Sequence, residues 1–262
     1  MKATCKLCQQ NEATQTNSHI FPRFFKKDYL KTSRGFFYYD ISVQKVDRKV
    51  QDLPKEDYIV CPECEGRFQT LEHFASLYLK NSYNRLTKND FSIIQNHSDC
   101  QIPTNCDPKI FTLFIYSLMW RAHISNDDAF KEFVLPNNCV RDLRKTIYEI
   151  VPPKISDLNS RLHLLKHQRW NYIFIKPENK KGIYHIINYN DNISLKGLAF
   201  VHAFEYAIIF ILNRKAVPLK FYECINSRFN TLRFLRMRTD MWNSSIANIT
   251  EQMMENYKNA TQ

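Results

Sequence analysis

Two Cys-x-x-Cys pairs, Cys5/Cys8 and Cys61/Cys64, constrain this chain more than any other feature. Cysteines spaced this way share one tight turn and aim both sulfurs at one point. Two such turns supply the four thiolates of a tetrahedral zinc site. The insertion between them, about fifty residues, is longer than in compact zinc ribbons and must fold back to bring the second turn to the first. One shared structural ion explains two matched pairs better than a redox role does. Cys100 and Cys106 lie in a polar stretch with no matching pair and read as plain thiols.

The rest of the composition sets the class. The chain has 262 residues, 44 % hydrophobic and 14 % aromatic, enough for a real core in one large domain or two modest ones. Its net charge of +11 favours polyanion partners, because each neutralised phosphate releases counterions. The plainer reading is a basic surface kept for solubility. With only 4 Gly, a phosphate-cradling glycine loop is close to excluded, and there is no Walker, dinucleotide or Gly-x-Ser-x-Gly motif. The opening "MKATCKLCQQ" lacks an apolar h-region. The run from Gly197 to Asn213 contains His202 and Glu205 and reads as buried strands, not a span. The expectation is a cytoplasmic chain with reduced thiols and no membrane partner.

Three segments follow: a Cys-rich module over 1–87, a polar linker over 88–107, and a helical and β-sheet region over 108–262. A helix should open at Pro62 and carry Phe68, Leu71, Phe74 and Ala75 on one face. Asp107-Pro108 opens a second helix, apolar almost all round and therefore central. Further helices are expected over 127–134 and 140–151, the last stopped by Pro152-Pro153. "WNYIFIKP" and "GIYHIINY" flank "ENKK" as a hairpin; "LAFVHAF", "YAIIFILN" and "VPLKFYEC" continue as strands, and the tail from about 240 is helical. The fold class is α+β: a treble-clef or ββα zinc module, a helical middle, and an antiparallel sheet with a final helix.

Between the cysteine pairs lies "TNSHIFPRFF", Thr16 to Phe25, which holds His19 ten residues after the first pair. The order Cys-x2-Cys, Ser-His-Ile-Phe-Pro, then Cys-x2-Cys-Glu opening a helix resembles the HNH (ββα-metal, treble-clef) endonucleases over roughly residues 1–80. The wider chain is similar to uncharacterised bacterial proteins with the order SHIxP (Ser18–Pro22), QD (Gln51-Asp52), KE (Lys55-Glu56), Cys61–Glu65 and WRA (Trp120–Ala122).

The resemblance implies a β-hairpin between the pairs, a helix packed on it, and hydrolysis of a DNA phosphodiester between the two. His19 matches the general base. A catalytic Mg²⁺ or Mn²⁺ would be held by Glu65 on the helix and by the residue before the base, usually Asp or His but here Ser18, a weak ligand. Glu72 and His73 are reserves. The family's middle position falls on Asp52 or Asp57, and the residues do not choose between them. Arg23, Lys26 and Lys27 would contact phosphate. Bacterial defence is the role the resemblance suggests, with DNA as partner and a regulatory protein or a further copy of the chain in attendance.

Each residue also has a plainer reading. His19 is equally a packed imidazole, Glu65 a solvated helix acid. In "NSRFNTLRFLRMRTD", Arg233 and Arg236 either pair with phosphate while the aromatics stack on bases, or merely face solvent from an amphipathic element. Arg121 should pair with an acid inside the protein. Because Ser18 stands at a metal position, a non-catalytic zinc-stabilised nucleic-acid-binding or adaptor module is the second hypothesis, and a protein-interaction scaffold the third.

Overall fold

The computed structural model describes residues 3–26, 36–40, 45–50, 53–80, 91–94, 97–103, 105–127, 130, 133–177, 186–191, 197–203, 206–228, 230–238, 240–242 and 244. The first cysteine turn closes where Gln9 N donates to the Cys5 carbonyl at 2.9 Å, with Gln9 in the left-handed region at φ 60°. The chain then enters strand β1 (Ser18–His19). Strands β2 (Phe36–Asp40) and β3 (Lys45–Val50) form an antiparallel hairpin between the two cysteine pairs. Strand β4 (Lys55–Glu56) pairs with β1, setting Ser18 opposite Glu56 and His19 opposite Lys55. Helix α1 (Pro62–Lys80) opens on the second cysteine turn, where Glu65 N donates to Cys61 O at 3.0 Å. Its buried Cys64, Phe68, Leu71, Ala75 and Leu79 recur every three or four residues, the spacing of one helical face. The expected hairpin followed by a helix is therefore present.

The stretch read as a linker is not a connector. It carries β5 (Phe91–Ile94) and β6 (His97–Pro103), paired antiparallel at one end of a seven-stranded sheet. Its polar residues hide the strands because an edge position needs few apolar side chains. Helix α2 (Pro108–Ile124) follows. The Asp107 carboxylate accepts from Lys109 N at 2.7 Å and Ile110 N at 3.1 Å, and Pro108 occupies the first turn, where no donor is needed. Every residue from Ile110 to Ala122 is buried, so α2 is central, as its all-round apolarity requires. Of the segment 127–134, read as a helix, the described residues show i to i+3 turns at Phe130 and Phe133, both buried rings that peg the connection to the core. Helix α3 (Asn137–Ile150) turns Cys139, Leu143, Ile147 and Ile150 inward and ends before Pro152. There α1 comes close: a Cβ on Gly66 would lie 3.2 Å from the Pro153 carbonyl.

The remaining strands are β7 (Asn171–Pro177), β8 (Ile186–Asp191), β9 (Leu198–Ala203), β10 (Tyr206–Ile211) and β11 (Phe234–Met237). The sheet order is β5-β6-β11-β7-β10-β9-β8, antiparallel except that β11 runs parallel to β7. The expected β7–β8 hairpin is thus corrected: β7 lies between β10 and β11, and β8 takes the far edge beside β9. Apolar β10 has the stronger claim to a central place, and the polar sequence of β8 suits an edge. "VPLKFYEC" is a 3-10 segment, Leu219–Cys224, not a strand. Gly197, just before β9, has φ 118° and accepts from Leu212 N and Asn213 N; a Cβ there would collide with Asn213. Of the tail helix expected from about 240, residues 240–242 and 244 are helical, and the rest lies outside the described residues.

Both faces of β7 are buried. On β7, Tyr172 and Phe174 join the larger core with α2, where Phe111 meets Phe174 edge-on at 5.1 Å. Ile173 and Ile175 point the other way, into a second core with Cys100, Cys224 and Trp242. The larger core is continuous from Cys5 to Phe234.

Candidate metal centre and the His19 site

The four sulfurs of Cys5, Cys8, Cys61 and Cys64 lie within 4.8 Å of one another and all four residues are buried. Ligands about 2.3 Å from a tetrahedral ion stand roughly 3.8 Å apart, so small adjustments admit zinc. The surroundings suit thiolates. Asn11 donates to the cluster twice, from its backbone N to Cys8 Sγ at 3.4 Å and from Nδ2 to Cys61 Sγ at 3.8 Å. A hydrogen bond from Cys64 brings the Cys5 thiol down to about 4, while the same bond pushes Cys64 up and burial raises Cys61. Four packed sulfurs cannot all ionise alone; a divalent cation removes the conflict. These residues can hold a structural metal ion such as zinc. Three contacts tie the first turn to the helices behind it: Lys6 Nζ to Ile124 O at 2.9 Å, Arg144 Nη1 to Leu7 O at 2.8 Å, and Tyr148 OH to Gln10 Oε1 at 3.2 Å.

Beside this cluster, β1 presents His19. The ring is half-buried, and the residues around it, Ser18, Ile20, Phe21 and Pro22, are buried. Ser18 Oγ donates to Glu65 Oε2 at 2.6 Å, pinning the turn to α1 one residue past the last cysteine. Arg121, wholly buried on α2, donates from Nη1 to the His19 carbonyl at 2.8 Å and to Glu72 Oε1 at 2.6 Å, with its guanidinium 4.8 Å over the Phe68 ring. Burial raises the Glu72 carboxyl despite Arg121, and the Glu65 charge adds to the rise. His19 Nε2 accepts from Arg23 Nε at 3.0 Å.

The structure therefore brings together Ser18, His19, Arg23 and Glu65, and adds Glu72 and Arg121 behind them. Asp57 is exposed and accepts from Asn17 N at 2.6 Å, which fixes the αL residue that enters β1. Lys26 ends the 3-10 turn Arg23–Lys26. Asp52 and Lys27 lie outside the described residues. Arg233 donates to the Glu223 carbonyl at 2.8 Å, and Arg236 lies on β11. Among the described residues, the four cysteines are the one group of three or more His, Cys, Asp or Glu whose ligand atoms converge. Glu65 and Ser18 spend their contact on each other instead of opening toward a second cation. Cys100 is buried in the second core, its Sγ 3.5 Å from the Glu223 carbonyl.

The expected acid partner of Arg121 is the half-buried Glu72, but the grip of Arg121 on His19 was not anticipated. That contact spans 102 positions and no local pattern encodes it. Among the described residues no helix is long and apolar enough to cross a membrane. Comparison with family models, with curated proteins and with solved structures yields no match.

Proposed function

We propose that the chain is a zinc-stabilised, HNH-like endonuclease that hydrolyses DNA phosphodiesters, with His19 as general base and Arg23 as a phosphate contact. The observation that carries this reading is the Arg23–His19 pair at 3.0 Å on a half-exposed turn. Accepting from Arg23 marks Nε2 as the ring's acceptor nitrogen, the kind a general base uses, and its lone pair becomes free for water once Arg23 turns to the phosphate. The same guanidinium is exposed and can turn to a phosphate oxygen through its planar fork. Behind the ring, Ser18–Glu65 and Arg121 hold the turn to α1 and α2, the fixed geometry that a base requires. The net charge of +11 supports a polyanionic substrate.

The Mg²⁺ or Mn²⁺ of the resemblance has no converging acid set among the described residues, so no step is routed through it. The mutual hydrogen bond of Ser18 and Glu65 favours the second reading, a module that binds nucleic acid without cutting it. Supercoiled plasmid incubated with Mg²⁺ or Mn²⁺, without chelator, separates the two. Nicking by the wild type that falls at least about 100-fold in His19→Ala supports the nuclease, given what a general base contributes. Binding with no nicking in either protein supports the module and removes the enzyme.

A further inference from the structure

Three non-glycine residues among those described have positive φ: Gln9, Asn17 and Tyr58. Gln9 closes the first cysteine turn, and Asn tolerates the left-handed region. Tyr58, at φ 60°, is the exception, since a bulky side chain rarely adopts this conformation. The backbone demands it. Tyr58 N donates to Gln15 O at 2.7 Å, and in the next residues Lys6 N reaches Ile59 O while Gln15 N reaches Val60 O. Ile59 and Val60 are buried and make the packing of this segment.

The Tyr58 ring is not part of the core. It is 56 % exposed, and it makes no aromatic or cation contact with any described residue. Glycine or asparagine would hold the same turn with less strain. A ring kept at a cost and turned to solvent serves something outside the chain.

Its position says what. Tyr58 follows Asp57, which holds Asn17, and stands three residues after Lys55, the partner of His19 across β1 and β4. Three residues reach at most about 11 Å. Resting on the nucleic-acid reading above, we propose that Tyr58 is a stacking platform for an unpaired base of a strand whose backbone passes His19 and Arg23. A paired base keeps its face inside the duplex, so the platform selects single-stranded or locally opened substrate.

The test uses the zinc-loaded full chain, a labelled mixed-sequence single strand and its duplex, each titrated at several salt concentrations. Tyr58→Asn keeps the left-handed turn and removes the ring; Tyr58→Phe keeps the ring. The expected result is single-strand affinity weakened about five-fold or more in Tyr58→Asn, the scale of one lost base stack, and kept within about two-fold in Tyr58→Phe. The salt slope and the duplex affinity should stay unchanged, because no phosphate contact is lost, and the melting temperature should not fall. Single-strand binding of Tyr58→Asn equal to the wild type overturns the platform and leaves the nucleic-acid reading standing. Equal losses in Tyr58→Asn and Tyr58→Phe, or a loss accompanied by a lower melting temperature, also overturn it. A wild type that binds neither strand form brings down the nucleic-acid reading and the platform with it.

Discussion

Arg121 holds three things at once: the His19 carbonyl, the Glu72 carboxylate and the face of Phe68. Its other terminal nitrogen, Nη2, has no partner among the described residues, so the guanidinium already carries some unrelieved cost of burial. Arg121→Met should therefore lower stability by about 3–5 kcal/mol, the scale for breaking one side of a buried pair. The loss should depend on pH. Without the cation, Glu72 keeps burial and the Glu65 charge, both of which raise it above its ordinary value of 4.5. A carboxyl raised in the folded state binds a proton the unfolded chain has already released. Its share of stability is then full below that ordinary value and falls as pH rises toward the folded one. Urea unfolding at pH 5 and pH 7.5 should show the wild type and Arg121→Met closer together at the lower pH; an equal gap at both would mean that Glu72 does not feel the substitution. The residue type told half of this, since an Arg closing an apolar helix needs an internal acid. Which acid it finds is set by how α1 and α2 cross, and Glu72 had been only a reserve for the metal.

At the scale of elements, α2 shows most clearly what pattern can and cannot tell. Asp107, Pro108 and an unbroken apolar run announce its start and its central place. Its far end depends on distant segments: Lys6 caps the Ile124 carbonyl, and His123 Nδ1 accepts from Leu135 N at 3.1 Å. Burial, chiefly, and the Lys6 charge hold the His123 imidazole below its ordinary 6.5, whereas a bond to the Phe133 backbone works the other way. A depressed histidine is neutral in the folded chain while the unfolded chain begins to protonate near 6.5. Stability should rise with pH up to about that point and decline as pH falls below it toward the folded value. His123→Gln should flatten this dependence between pH 5.5 and 7.5 in thermal melts; the same slope in wild type and variant would exclude His123 as its source. The strands were legible as strands and not as partners. Periodicity marked β7 and β8 correctly, but nothing local says that β10 and β11 would take the places beside β7. The strands β5 and β6 are hidden by their polar residues, which an edge strand such as β5 tolerates.

For the whole molecule, the question is whether the cysteine module stands apart from the sheet. One continuous core contains Cys5, Cys8, Cys61 and Cys64, passes through Phe68 and Trp120, and reaches Phe174, Phe210 and Phe234 on the sheet. Phe25, six residues past His19, touches both Phe114 of α2 and Tyr206 of β10, with centroids 6.2 Å and 5.6 Å away. The metal turns were the plainest signal in the sequence because covalent spacing alone brings each pair of sulfurs together. Their union with the sheet was not, since it rests on aromatic contacts between distant segments. Structural zinc sites contribute about 10–16 kcal/mol in small modules, against a net stability of roughly 5–15 kcal/mol for a domain. A shared core cannot lose one end of that support and keep the other. Purified protein should contain one zinc ion per chain, and Cys61→Ser should lower this content and the melting temperature together. On chelation, Trp120 beside Phe68 and Trp242 in the second core should report the loss in the same transition, followed in single-tryptophan variants. If Trp242 instead keeps its native emission and melting temperature after the metal is gone, the sheet folds without the cysteine module and the continuity of the core has no energetic weight.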